Sequence, residues 1–359
     1  MFKGIYLCIK LVILSVILIL SSCNDADSSG AEEIVRIEGV PEYYFEDDYL
    51  NNRIKEINKA ISQCSDGCES FFWITDMHWE SELNARESPG LIKYIAKRTK
   101  IDKILNGGDT ADSREICIDG ISRLREAIGS NKVYTVTGNH EIVDASKYEN
   151  PFRRVEEELR YHNTDIVYGD EYGNRSYFYF DNTENKTRYI GLSSFGIYDG
   201  NSCESCYTAE QLEWFKNIAL NVVAGWTIVI FTHSLYCVSC ATDIMYYSPA
   251  GSDDFITAID NYDGEGIIAC VLFGHTHRDR YHIGRTGIPY IITASDRYSP
   301  SNDDINVLRI PGTISEQHFE VAVLDKRRRV LKLFSIGANA RDGYDDEPGS
   351  EVDVRVFNY

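Results

Sequence analysis

DKILNGGDTADSREICIDGISRLREAIGSNKVYTVTGNHE, residues 102–141, is the stretch that decides the fold. Its two ends, DKILNGGD (102–109) and KVYTVTGNH (132–140), are short apolar runs stopped by glycine and a polar residue, the pattern of buried strands. Between them Ile116, Ile121, Leu124 and Ile128 recur at helical spacing, with Ser113 placed as N-cap and Gly129 as the stop. Strand, helix and strand in so short a span predict a right-handed crossover in a parallel sheet.

Upstream, FFWITD (71–76) reads as another buried strand and SPGLIKYIAKRTK (88–100) as a helix capped by Ser88. Downstream, DIVYGDEYGNRSYFYFD (165–181) and TRYIGLSSFG (187–196) read as tyrosine-rich strands or hairpins. TAEQLEWFKNIALNV (208–222) is an amphipathic helix. WTIVIFTH (226–233) and GIIACVLFGH (266–275) are buried strands that stop at histidine, and PYIITAS (289–295), FEVAVLD (319–325) and RVLKLFSIG (329–337) complete the set. There is no internal repeat and no Pro/Ser linker between residues 50 and 337. The expectation is one α/β domain over 49–337 with two mixed sheets and helices outside them. Residues 338–359 are acidic and read as a loosely packed tail.

The chain opens MFKGIYLCIKLVILSVILILSSC, with Lys3 and Lys10, an apolar run Leu11–Leu20 and small residues before Cys23. That is the layout of a secretory leader over 1–22, too short for a membrane span. Leu20-Ser21-Ser22-Cys23 resembles a bacterial lipobox, which implies lipidation at Cys23 and an exported protein anchored to the cell envelope, at the outer membrane or cell surface. Residues 23–48 read as a flexible acidic tether. The net charge of −20 argues against a nucleic-acid partner, while 43% hydrophobic residues are enough for a sizeable core.

The strands share a way of ending: Asp76-Met77-His78, Gly108-Asp109-Thr110-Ala111-Asp112, Gly138-Asn139-His140-Glu141, His233, and Gly274-His275-Thr276-His277. Each fragment alone reads more simply as a turn or surface loop. Together they gain weight, because the carboxyl ends of strands in an open α/β sheet line one crevice. Carboxylate, imidazole and amide oxygen are the donor mixture that divalent ions take.

These five blocks, over roughly residues 70–295, resemble the pattern D-x-H, G-D-x-x-D, G-N-H-[DE], H and G-H-x-H of the calcineurin-like metallophosphoesterase superfamily. The resemblance implies a four-layer αββα sandwich with a dinuclear site at the strand C-terminal ends. It implies that Asp76, His78 and His277 hold one metal, that Asn139, His233 and His275 hold the other, and that Asp109 bridges them. A hydroxide between two ions, drawn from manganese, iron or zinc, would attack phosphorus, with His140 assisting the leaving oxygen and Asp112 orienting His140. Asp112 stands where purple acid phosphatases carry tyrosine. Ser113 stands where the protein serine/threonine phosphatases carry arginine, with Arg114 one position later. Arg114 and Asn84 are candidate substrate contacts.

Two further pairs, Cys203/Cys206 and Cys237/Cys240, fit either disulfides or a structural zinc. Cys64 and Cys68 are spaced for a local disulfide, Cys117 and Cys270 for buried thiols, and His162, His282 and His318 for surface or core positions. The function expected is hydrolysis of phosphomonoesters or phosphodiesters in a small molecule, lipid or protein, with a non-catalytic metal-binding surface lipoprotein as the alternative. Only the lipid anchor would touch membrane.

Overall fold

In a computed structural model, the described residues are 35–64, 67–79, 87–141, 163–169, 177–194, 196–198, 201–203, 207–235, 251–296, 309–338, 340–341 and 351–359. The leader, Cys23, Asn84, Cys206, Cys237 and Cys240 lie outside them, and Cys203 is described as backbone alone. No described helix is long and apolar enough to cross a membrane.

The described residues from 36 to 359 form one compact unit built on two sheets. The first contains β1 (Glu69–Ile74), β2 (Ile104–Asn106), β3 (Val133–Thr135) and the late strands β11 (His318–Asp325), β12 (Val330–Gly337) and β13 (Val354–Asn358), in the order β13-β12-β11-β1-β2-β3. The second contains β4 (Val167–Tyr168), β5 (Phe178–Asn182), β6 (Thr187–Leu192), β7 (Thr227–Thr232), β8 (Ile267–Phe273), β9 (Arg280–Ile283) and β10 (Pro289–Ile292), in the order β9-β10-β8-β7-β6-β5-β4. β1, β2 and β3 are mutually parallel, as are β6, β7, β8 and β10. Antiparallel strands extend both sheets.

Period-two alternation sorts the side chains into layers. On β1, Phe72 and Ile74 face α1 (Tyr49–Gln63), α2 (Ser88–Thr99) and α3 (Arg114–Ile128), while Phe71 and Trp73 face the second sheet. On β7, Val229 and Phe231 meet them, and Ile228 and Ile230 face α4 (Ala209–Trp214) and α5 (Ser252–Asp260). The Trp73 and Phe231 rings meet edge to face at 6.3 Å across the two sheets. The result is the four-layer αββα sandwich. At the end of the strands away from the site, Lys103 is buried between sheets, 2.7 Å from Glu69 and 2.9 Å from the Tyr189 hydroxyl.

Ser113 caps α3 by accepting from the Ile116 N–H, and Gly129 ends it in the left-handed region at φ +63°. Ser88 does not cap α2. It is the first helical residue, and its hydroxyl donates to the buried Asp296 carboxylate instead. Cys64 and Cys68 are bridged, with Cα atoms 5.6 Å apart, and Cys117 and Cys270 are buried thiols.

Two boundaries differ from those read in sequence. Within the supposed tether, Val40 and Tyr44 are fully buried against the first helical layer, and Tyr44 donates to Gln317. Within the supposed loose tail, β13 pairs with β12, burying Arg355 and Phe357 while Val356 faces out. An acidic composition hid an alternating strand. Phe357→Ala should cost about 3 kcal/mol of unfolding free energy in a urea melt, since it empties a core site. A loosely packed tail would instead give a change within about 0.5 kcal/mol.

Candidate metal centre

All five strand-end blocks reach one place. Asp76 and His78 follow β1, Asp109 and Asp112 follow β2, and Asn139, His140 and Glu141 follow β3, so the first sheet supplies half of the cluster. His233 follows β7, and His275 and His277 follow β8, so the second sheet supplies the rest.

The backbone is bent to make this meeting possible. Asp76, His78, Asp109, His275 and His277 all have positive φ, between +45° and +68°, a region costing non-glycine residues about 1–3 kcal/mol each. Asp76 N–H donates to Gly108 O at 2.9 Å and His78 N–H to Asp109 O at 3.0 Å, so the loops after β1 and β2 brace each other in that conformation. The glycines serve close approach. A Cβ on Gly138 would strike the Asp109 carboxylate, and one on Gly274 would strike Asp76 and the Thr75 hydroxyl. In the GHTH block the sharp conformation is carried by His275 and His277, whereas Gly274 clears room for a carboxylate.

Two groups of donors result. In the first, His277 Nε2 lies 3.3 Å from Asp76 Oδ1 and 3.1 Å from His78 Nε2. In the second, His233 Nε2 lies 3.2 Å from Asp109 Oδ2, 3.2 Å from Asn139 Oδ1 and 3.1 Å from His275 Nδ1. Asp109 Oδ2 is also 3.8 Å from His78 Nε2, which places it between the groups. His233 Nδ1 is 2.7 Å from Gly107 O; a carbonyl only accepts, so Nδ1 carries the proton and Nε2 faces the cluster.

The charges fit a cation. Burial opposes ionisation of Asp76 and Asp109, but the imidazoles around them outweigh it and hold both carboxyls well below their usual range. The same balance acts on His233: burial would lower its pKa, yet Asp109 and Asp76 push it up to about 9. Two buried carboxylates are drawing a positive charge onto an imidazole, and a metal ion supplies that charge directly. Asp76 Oδ1, fully buried, has His277 Nε2 at 3.3 Å, His233 Nε2 at 3.9 Å and His78 Nε2 at 4.0 Å around it, three imidazole nitrogens turned to one carboxylate oxygen.

Around this sits a supporting layer. Thr75 and the His275 N–H donate to Asp76 Oδ2 at 2.6 and 3.0 Å, and the His140 N–H donates to Asp109 Oδ1 at 2.9 Å. Glu141, which has no assigned part in the sequence reading, accepts from the backbone N–H groups of Asp109, Thr110 and Gly138 at 2.6–2.9 Å. It joins the β2 and β3 loops at the Asp109 hinge. His140 differs from the other site histidines in facing outward, its side chain 32% exposed. Its Nδ1 is in close contact with the Asp112 carboxylate, which fixes the proton on Nδ1 and leaves Nε2 3.9 Å from Asp109 Oδ2. Arg114 heads α3 just beyond Asp112, 3.8 Å from Glu115, and belongs to neither donor group.

The calcineurin-like phosphoesterase family model matches residues 70–279, more than half of the sequence, and the chain belongs to that family. No curated protein sequence matches it. Similar solved structures include a dimetal phosphatase from Danio rerio, 14% identical with TM-score 0.48 over 81% of this chain and 98% of that one. A phosphopantetheinyl hydrolase from Mycobacterium tuberculosis is 13% identical, with TM-score 0.39 over 63% of this chain and 89% of its own. Vps29 from Chaetomium thermophilum is 12% identical, with TM-score 0.38 over 82% and 99%.

Gly274→Ala tests the close approach. It should lower unfolding free energy by about 1–3 kcal/mol in chemical denaturation of the metal-free protein, as overpacking does. An unchanged midpoint would mean that the Asp76 carboxylate does not lie against Gly274.

Proposed function

We propose that this protein is an exported, lipid-anchored, metal-dependent phosphoester hydrolase. The observation that carries the catalytic reading is the position of Asp109 Oδ2 between two donor groups, 3.2 Å from His233 and 3.8 Å from His78. Asp76, His78 and His277 would hold one cation, Asn139, His233 and His275 the other, and Asp109 both. Carboxylate, imidazole and amide oxygen suit manganese, iron or zinc. Cations bound there would neutralise the ester's negative charge and lower the pKa of a coordinated water.

The chain's own residues do the rest. Asp76 and Asp109 keep their negative charge inside the fold, so the cations are held by fixed groups. His140 lies at the open side of the cluster with Nδ1 committed to Asp112. Its Nε2 is thereby oriented towards the space above Asp109, where it can give a proton to a leaving alkoxide. Burial pulls the His140 pKa down, but Asp109 and Asp112 together raise it above its ordinary value, so the ring keeps that proton more firmly. The leader and Cys23 support export and anchoring.

A panel of mono- and diesters, assayed after chelation and re-addition of manganese, zinc or iron, should show activity only with metal restored. His140→Ala should lose about 10²–10⁴ in kcat while binding both cations. Unchanged hydrolysis in that variant would leave the fold as a metal-binding scaffold whose activity lies elsewhere. His275→Ala and His277→Ala should each lose one cation, and a different one, measured by elemental analysis. Loss of both cations in each variant would contradict the division of ligands.

A further inference from the structure

Outside the metal centre lies a second buried cluster. Arg355 on β13, 4% exposed, reaches two fully buried carboxylates: Nη1 is 2.9 Å from Asp279 Oδ1 and Nη2 is 2.7 Å from Glu320 Oε1. His318 completes it. Its Nδ1 donates to Ala338 O at 2.8 Å, so Nε2 presents its lone pair to Asp279 and Glu320, 3.7 Å from each. Asp279, His318 and Glu320 have the composition of a metal site. The cationic role is already filled here by the guanidinium, which hydrogen-bonds Glu320 through Nη2 and is ion-paired with Asp279 at Nη1.

The cluster's place in the fold gives it a use. Asp279 lies two residues after His277, in the turn between β8 and β9 of the second sheet, whereas Glu320, His318 and Arg355 all belong to the first. The first sheet also carries Asp76 and His78, so the contacts of 3.3 and 3.1 Å from His277 to those residues cross between sheets. His277 stands at φ +55°, a conformation that persists only where its surroundings enforce it. The other half of the block has its own anchor, because the His275 N–H donates to Asp76 Oδ2.

We propose that Arg355, acting through Asp279, is a positioning residue that holds His277 against the Asp76–His78 cation. This rests on the two-cation reading above. The second sheet's metal-bearing turn is fastened to the first sheet by an ion pair contributed from the last strand of the chain.

The test measures metal, not turnover. Cations are counted on the full-length protein and competed against chelators of graded strength, with thermal melts alongside. Arg355→Lys and Asp279→Asn should each weaken one of the two binding steps by about 10–100-fold, the scale of losing an outer support of a ligand. The other step should stay unchanged. Lys103→Met removes a buried ion pair with Glu69 and an inter-sheet hydrogen bond to Tyr189 at the opposite end of the strands, so it should lower the Tm without moving either step. Two unchanged steps in both latch variants, or equal weakening of both steps, would overturn the proposal. A wild-type count of three cations would overturn the guanidinium's role. A wild-type count below two would overturn the two-cation reading itself.

Discussion

Asp76 and Asp109 are both buried to about 1% exposure or less, and their carboxylates face the same small space. Burying a carboxylate costs several kcal/mol even after relaxation, and more when another stands beside it. The surrounding architecture answers that cost: imidazoles are turned inward from both sheets, N–H groups of His140 and His275 point at the two carboxylates, and glycines clear the space. Five residues in left-handed backbone store further strain. Such a cluster makes sense only if positive charge belongs at its centre.

The two-sheet sandwich brings the charges together. Parallel β1, β2 and β3 release their loops at one end, and the parallel strands β7 and β8 release theirs beside them. The aromatic layer of Phe71, Trp73, Phe178, Phe180 and Phe231 fixes the spacing between the sheets. Glu141 then ties two loops of the first sheet together by their N–H groups, and Arg355 ties the GHTH turn of the second sheet to the first. Fold stability and the geometry of the donor groups are therefore linked at the level of individual residues.

The donor groups were legible in the sequence because each strand ends in its own polar block within a few residues, and local apolar runs locate the strands. Ser113 and Gly129 behave as their types predict because their partners are neighbours in the chain. What could not be read is set by distant residues. Ser88 looks like a cap until Asp296, far along the chain, takes its hydroxyl. Glu141 is legible as a motif letter but not as the acceptor of three N–H groups. In the acidic C-terminus, the alternation of Val354, Arg355, Val356 and Phe357 was a usable strand signal, obscured by the charges before it. That Arg355 points inward to Asp279 depends on the pairing of three strands.

The proposed pair of cations would flank the Asp109 carboxylate, whose Oδ2 lies between the two donor groups. Anomalous X-ray scattering from crystals grown with manganese or zinc measures this directly. Two peaks about 3.5–4 Å apart, one on each side of the Asp109 carboxylate, are the predicted result. A single peak, or peaks away from Asp109, would contradict it.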